Sequence, residues 1–426
     1  MTILPPAPWR ERKDLAALIA ALGPGQARYV GGAVRDTLLG QPVKDIDVAT
    51  PLEPKEVMRR LKAHAIQAIP TGIEHGTVTA VLPEGNVEIT TLRHDVSTDG
   101  RRATVAFAQD WQDDAARRDF TINALYADPA SGELFDWFGG LADLEARRVR
   151  FIGDAHQRIR EDHLRILRYF RFQARFGSQP ADAEAELAIS NLKATLKGLS
   201  RERVGMEMMN LLGLPDPAPT VARMAQLGVL DVVLPEADVA ALAALTAEER
   251  KQEIAPDALR RLAALLPPEA PLAEAVASRF RLSGAQKKRL ALAAGRNSDP
   301  PPVGEVASRS DDGGGKPGNT PTPSGLRPAT SPTGGGSIDP RALAYRLGRD
   351  AALDRLLLAG ASVAALKDWQ IPAFSLKGGA IVARGVKAGP EVARVLQAVE
   401  ARWVAEGFPD DTRIAALLDA ELEGRK

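Results

Sequence analysis

The sequence predicts an α+β fold: an N-terminal head built on a small mixed β-sheet, followed by all-α neck, body and tail domains. Three observations predict it. Strand-like runs alternate with short helical ones up to about residue 140, and helical periodicity with few β-branched runs takes over behind them. The 426 residues amount to two to four domains, at roughly 100–200 residues per domain. The stretch Asp299–Pro340, with nine Gly and nine Pro, interrupts the helical part. Such a composition cannot bury enough apolar surface to offset its ordering entropy, so it reads as a flexible linker or surface insertion. The expected divisions are head 1–140, neck 141–225, body 226–298, linker 299–340 and tail 341–426.

In the head, Ala27–Val30 reads as a strand, and Gly31-Gly32 turns the chain into a helix, Ala33–Leu39, that Gly40 stops. Lys44–Ala49, alternating Asp with apolar residues, reads as a second strand. Residues 76–82 and 86–93 form a hairpin across Pro83-Glu84-Gly85-Asn86, and Phe120–Ala127 reads as a further strand. No run of 18 apolar residues and no apolar segment behind a basic start is present, so a soluble cytoplasmic protein with no membrane contact is expected. The absence of Cys excludes a disulfide scaffold, a Cys-ligated zinc and a thiol nucleophile.

The chemistry starts at Asp45 and Asp47. Two residues apart on a strand, they face the same way, and like charges so placed are costly unless a cation sits between them. Such hard oxygens suit Mg²⁺; taken alone, the pair equally suits an exposed strand edge. Upstream, with twelve residues between Gly32 and Asp45, Gly31 and Gly32 open a helix whose free N–H groups face an anion. A phosphate cradle beside a carboxylate pair is the layout of two-metal phosphoryl chemistry. Glu88, in the hairpin, is either a third carboxylate or an ordinary strand Glu.

These residues carry a resemblance. G-G-A-V-R-D-T-L-L-G followed by K-D-I-D-V resembles the head of the class II tRNA nucleotidyltransferases, the CCA-adding enzymes and bacterial poly(A) polymerases. R-R-D-F-T-I-N-A (117–124) is similar to that family's ribose-recognition motif, D-W-F-G-G-L-A-D-L (136–144) to its head–neck hinge, R-I-R-E-D-H-L-R-I-L-R-Y-F-R-F (158–172) to its nucleotide-template helix, and S-R-E-R-V-G-M-E (200–207) to its S-x-E-R-x-x-x-E motif. The resemblance implies that Asp119 and Asn123 lie near the sugar and that an Arg of the 117–123 motif faces the triphosphate; Arg118, Arg35 and Arg168 are candidate nucleotide- or phosphate-binding residues. From the sequence alone Asp119 equally suits a turn or cap. Ser200 reads as an N-cap, and Arg203 and Glu207, i and i+4, as a bracing or surface pair.

The template helix also reads without the family. Asp162 and Arg165, at i and i+3, are neighbours on one helix face. Asp accepts and Arg donates, which matches the amino group and ring nitrogen of cytosine and adenine and mismatches uracil and guanine. The alternative is a surface ion pair. Arg93-His94-Asp95 through Asp99-Gly100-Arg101-Arg102 resembles the family's flexible loop, whose basic-acidic-basic pattern accompanies completion with A, or is simply a charged loop. Residues 376–396 resemble the tail's RNA-contacting turn, with Gly389-Pro390-Glu391 starting a helix.

The implied activity is template-independent addition of C, C and A to a tRNA 3′ end from CTP and ATP. It runs by in-line attack of the RNA 3′-OH, with one Mg²⁺ held by Asp45 and Asp47 and a second on the triphosphate. The alternatives are a bacterial poly(A) polymerase and a catalytically inactive RNA-binding protein. No protein partner is implied. The 55 basic and 55 acidic residues give zero net charge, which argues against nucleic acid only as an average. Residues 145–175 carry nine Arg against four acids, and residues 341–402 ten basic against five acidic. Each excess is +5, and the two segments suit an RNA backbone between neck and tail, or scattered solvated Arg. Arg171, Arg175 and Lys387 are the candidate RNA contacts.

Overall fold

The computed structural model describes residues 2–99, 102–108, 110–297 and 339–424. The chain falls into two compact units, 1–239 and 240–426. The first holds strands β1 (Arg28–Val30), β2 (Ile46–Thr50), β3 (Gln67–Gly72), β4 (Thr77–Val81), β5 (Val87–Thr91), β6 (Arg93–Asp99), β7 (Arg102–Phe107), β8 (Tyr126–Ala127) and β9 (Leu134–Phe135). Its helices are α1 (Lys13–Leu22), α2 (Gly32–Leu38), α3 (Pro54–Ala63), α4 (Trp111–Ala116), α5 (Gly140–Glu145), α6 (Ala155–Glu161), α7 (Arg165–Phe176), α8 (Ala183–Leu192), α9 (Arg201–Leu212), α10 (Ala218–Gln226) and α11 (Leu230–Val233).

Seven strands form one mixed sheet in the order β3-β4-β5-β2-β1-β8-β9. β2 runs parallel to β5 and antiparallel to β1. As a central strand it is buried almost throughout, and only Asp47 is half-buried within it. The register sets Asp47 beside Val30 on β1 and beside Glu88 on β5. Val30, Ala49 and Tyr126 of the sheet share a core with Leu92, Ala115, Ala124 and Ile152. Gly40, at φ +64°, ends α2 in the left-handed conformation expected of it.

Three expectations change. Phe120–Ala127 is not one strand: Phe120 makes an isolated antiparallel bridge to Phe151, Thr121–Asn123 is a 3-10 turn, and Tyr126–Ala127 pairs in the sheet. The β-type residues there are overridden because Asn123 N–H bonds to Phe120 O at 2.9 Å and Thr121 Oγ1 donates to Asp143 at 2.7 Å. α5 is tucked so tightly against this turn that a Cβ on Gly140 would lie 2.3 Å from Thr121 O. Residues 158–172 are not one helix either. They break between α6 and α7, where Asp162 is extended (φ −149°, ψ 105°) and accepts the Leu164 N–H at 3.1 Å. Finally, the segment expected as a flexible loop pairs as the two-stranded β6–β7 ribbon; its side chains from His94 to Ala106, and Gly100 and Arg101 entirely, lie outside the described residues.

The second unit is helical among the described residues, with α12 (Val239–Lys251, entering from the first unit), α13 (Ala258–Leu265), α14 (Ala270–Arg279), α15 (Gly284–Ala294), α16 (Pro340–Leu347), α17 (Arg349–Leu358), α18 (Gly378–Val382), α19 (Pro390–Ala405) and α20 (Asp411–Glu423). The predicted linker lies outside the described residues up to 338, and its last residue, Pro340, opens α16. Leu245 and Ala264 share one core with Leu343, Leu347 and Leu356, so chain from both sides of 299–338 builds the same unit. Buried Asp354 ties them further, accepting Arg289 Nε at 2.7 Å. A second cluster of Ile381, Val399, Trp403 and Leu417 centres on α19, which starts at Pro390 as expected.

Candidate active site

The first unit contains a cleft of about 680 Å³ lined by Asp45 and Asp47, Gly31 and Gly32, and side chains from the 117–123 segment, α7 and α9. Asp45 is exposed just ahead of β2, and Asp47 is half-buried within it. Burial first, then the charges of Glu88 and Asp45, raise the Asp47 carboxyl, and Arg118 works the other way. No described side chain donates a hydrogen bond to either carboxylate. Glu88 is exposed beside Asp47, outside the cleft lining.

Gly31 has φ +68°, a conformation that favours Gly, and a Cβ there would sit 3.4 Å from Arg118 Nη1. Gly32 starts the seven-residue α2. Arg35, expected to bind nucleotide or phosphate, lines the cleft, is 5 % exposed and is engaged by neighbouring side chains. It donates to Asp36 at 2.8 Å and to Asn123 Oδ1, and lies over the Phe176 ring at 4.2 Å.

Asp119 is buried at the centre of the wall. It accepts Arg168 Nε at 2.8 Å and Nη2 at 2.5 Å, and Asn123 Nδ2 at 3.0 Å. Burial raises its carboxyl, but the Arg168 charge and the Asn123 bond outweigh burial and hold it at about 2. Asp119 and Asn123 thus reach the cleft together, with Arg168 locked onto Asp119.

Asp162 and Arg165 both line the cleft, but not as a pair on one helix face. Asp162 sits in the break and accepts Arg203 Nη2 at 2.8 Å, whereas Arg165 opens α7 and donates to Glu161 at 2.6 Å and to Arg158 O at 2.8 Å. Arg203 and Glu207 likewise do not pair with each other. Glu207, 3 % exposed, accepts Arg171 Nε at 2.6 Å. The sign was in the spacing: Glu207 falls on the same stripe as buried Val204, Met208 and Leu211 of α9, where a carboxylate needs an inward partner. Ser200 stands at the N-cap position of α9 without a side-chain cap bond. Arg117, Arg203 and Phe172 are cleft residues the sequence did not single out as such.

Of the proposed RNA contacts, Arg171 is bound to Glu207 and Arg175 to Asp36 at 3.2 Å. Lys387 is exposed between α18 and α19. The excess charge of 145–175 is largely met from outside: Arg148 and Arg150 pair with Asp143, Arg168 with Asp119, Arg171 with Glu207 and Arg175 with Asp36. Among the described residues no helix is long and apolar enough to cross a membrane, and no group of three or more His, Cys, Asp or Glu forms a ready metal site.

Comparisons with known proteins agree on what this chain resembles. Residues 27–150 match the poly(A) polymerase head domain, and residues 182–240 match the probable RNA and SrmB-binding site of polymerase A. The human mitochondrial CCA tRNA nucleotidyltransferase 1 is 48 % identical over 190 residues, 44 % of either chain. The CCA-adding enzyme of Latilactobacillus sakei is 42 % identical over 190 residues, 44 % of this chain and 46 % of its own. The match therefore spans less than half of these relatives. In fold, the chain is similar to the Bacillus stearothermophilus CCA-adding enzyme in complex with CTP (TM-score 0.66, 24 % identity, 97 % of this chain and 98 % of that one). It is also similar to the Thermotoga maritima CCA-adding enzyme complexed with tRNA (TM-score 0.63, 19 % identity, both chains covered fully).

Proposed function

We propose, from the matches to the poly(A) polymerase head and to CCA-adding relatives, that the chain is a member of the family of class II CCA-adding enzymes and poly(A) polymerases and acts as a template-independent tRNA nucleotidyltransferase. It adds C, C and A to the tRNA 3′ end from CTP and ATP and releases pyrophosphate. The observation that carries this reading is that one cleft joins a carboxylate pair, Asp45 and Asp47, to an acceptor and a donor of base-edge type, Asp162 and Arg165.

Each residue has a role that its surroundings support. Asp162 accepts from a nucleobase amino group and Arg165 donates to the adjacent ring nitrogen, an order that suits C and A. Uracil or guanine would leave these groups unpaired, a mismatch worth a factor on the order of 10⁴. Asp119 and Asn123 meet the ribose, and Arg118 offers a guanidinium to the triphosphate beside the Gly31 turn. Arg35 and Arg168 hold Asn123 and Asp119 in place rather than meeting phosphate themselves. Head and neck divide the first unit, the expected body and tail form the second together, and Lys387 in the latter is a candidate RNA contact.

The donor set fits a hard divalent cation. Two carboxylates accept no hydrogen bond from a described side chain, and Asp47 stays raised by burial and its acidic neighbours despite the Arg118 charge, so a divalent cation such as Mg²⁺ would add the charge they still lack. Asp45 and Asp47 would hold it, with Glu88 adding negative charge alongside. Bound there, Mg²⁺ supplies Lewis acidity toward the attacking 3′-OH and the departing pyrophosphate. We place the activity in the cytoplasm.

One assay tests the reading: purified protein, Mg²⁺, a tRNA transcript ending before CCA, and the nucleotides singly and together. Addition of three residues that then stops is the expected result. A long A tail would make the protein a poly(A) polymerase, and no addition would leave an inactive RNA-binding protein.

A further inference from the structure

Asp114 is a carboxylate that the cleft does not contain and yet depends on. It lies on α4, 1 % exposed. Tyr126 Oη donates to it at 2.5 Å, Arg117 Nε at 2.8 Å, Arg118 Nη2 at 3.3 Å and the Arg93 backbone N–H, at the root of the β6–β7 ribbon, at 3.3 Å. Arg117 and Arg118 both line the cleft. Tyr126 is fully buried on β8, paired with Val30 of β1. Its hydroxyl does two things at once, donating to Asp114 and accepting from Arg118 Nε at 3.0 Å. A phenol can do both.

Arg118 is thereby gripped at Nε and Nη2, and its guanidinium lies 5.2 Å from the centre of the Tyr126 ring. The remaining Nη1 has no hydrogen-bond partner among the described residues and stands 3.4 Å from where a Gly31 Cβ would be. Stability alone does not call for this arrangement, since replacing a buried ion cluster by apolar side chains is often neutral or stabilising. What the cluster does is remove the rotational freedom of two guanidinium groups before any anion arrives, which lowers the cost of binding one.

We propose that Tyr126 and Asp114 are positioning residues for the triphosphate: they fix Arg117 and Arg118 on the cleft wall and turn Nη1 of Arg118 toward the Gly31 turn. This rests on the nucleotide reading of the cleft. Neither residue touches the nucleotide; both act through the arginines.

The test is calorimetric titration of the full-length protein with CTP and with pyrophosphate in Mg²⁺, for wild type, Tyr126→Phe, Arg118→Ala and the double variant. Tyr126→Phe is expected to weaken both ligands about tenfold, the scale of one hydrogen bond to a charged group. Acting through Arg118, it is expected to add little further loss on top of Arg118→Ala. Asp114→Asn, which keeps the shape and removes the charge, is expected to behave alike and serves if Tyr126→Phe does not fold. Unchanged affinity in the single variant, or losses that simply add in the double one, would overturn the positioning role. Wild-type protein that binds neither CTP nor pyrophosphate would overturn the nucleotide reading beneath it.

Discussion

Arg203 donates from Nη2 to Oδ2 of Asp162 at 2.8 Å, joining α9 to the break between α6 and α7 across 41 positions of sequence. The other carboxylate oxygen accepts the Leu164 N–H. Arg165, three residues on, is held separately by Glu161. The acceptor and the donor proposed to read a nucleobase are therefore set by different partners, and what they share is the cleft.

Arg203 should accordingly matter for nucleotide choice without meeting the nucleotide. Arg203→Ala frees one side of Asp162 and is expected to lower the preference for CTP over UTP roughly tenfold, the size of a hydrogen bond to a charged group. Asp162→Ala should relax selection against UTP and GTP further. Single-nucleotide incorporation with each triphosphate measures both. An unchanged preference in Asp162→Ala would remove that residue from base selection.

Asp45→Ala or Asp47→Ala is expected to abolish incorporation while leaving tRNA binding intact; near-normal turnover in either would sink the metal assignment. Asp47 also makes a prediction about pH. Its carboxyl is raised in the folded protein, chiefly by burial. The folded chain then binds the proton more tightly than the unfolded one, so this group costs stability as pH rises through and above the ordinary carboxylate range. At neutral pH and without metal, Asp47→Asn should melt no lower than wild type. Added Mg²⁺ should raise the midpoint of wild type and leave the variant unmoved.

Asp119 works in the opposite sense. Its carboxyl is lowered from 3.8 to about 2. The unfolded chain binds more protons in that interval, so the contribution is fully present above 3.8 and is lost as pH falls toward 2. Asp119→Asn should flatten the acid limb of the stability curve over that interval and leave its shape above pH 5 unchanged. Urea melts between pH 2 and pH 6 would show it, and parallel acid limbs would contradict the Arg168–Asp119 coupling.

How far such relationships can be read from sequence depends on how local their causes are. β1, α2, β2 and the β4–β5 hairpin follow from neighbours in the chain, such as the left-handed Gly40 and the Gly85 turn at φ +120°. β3 was not legible, being an edge strand with mostly exposed side chains and a Pro at position 70. The break at 162–164 contains neither Gly nor Pro and keeps helical spacing on both sides; Asp162 takes the Leu164 N–H, and Arg203 reaches it from α9. The same holds for charge. Asp45, Asp47, Asp119, Asn123, Asp162 and Arg165 could be found as cleft residues from their motifs. Which acid neutralises which Arg could not, because Asp36, Asp119 and Glu207 come to α7 from other elements.

That redistribution of charge bears on where RNA runs. Of the nine Arg between 145 and 175, Arg147 and Arg160 are exposed and, among the described residues, form no ion pair. Arg171 and Arg175, proposed from sequence as RNA contacts, are held by Glu207 and Asp36. An Arg already neutralised releases few counterions when phosphate arrives, so the slope of log affinity against log salt separates the two classes. If RNA passes along this segment, Arg147→Ala or Arg160→Ala should each reduce that slope by about 0.7–0.9. Arg175→Ala should leave the slope alone and instead lower thermal stability, because it leaves Asp36 with Arg35 as its one described ion-pair partner. A reduced slope in Arg175→Ala with unchanged stability would restore it as an RNA contact. No change of slope in either Arg147→Ala or Arg160→Ala would mean that the backbone of the tRNA does not follow residues 145–175.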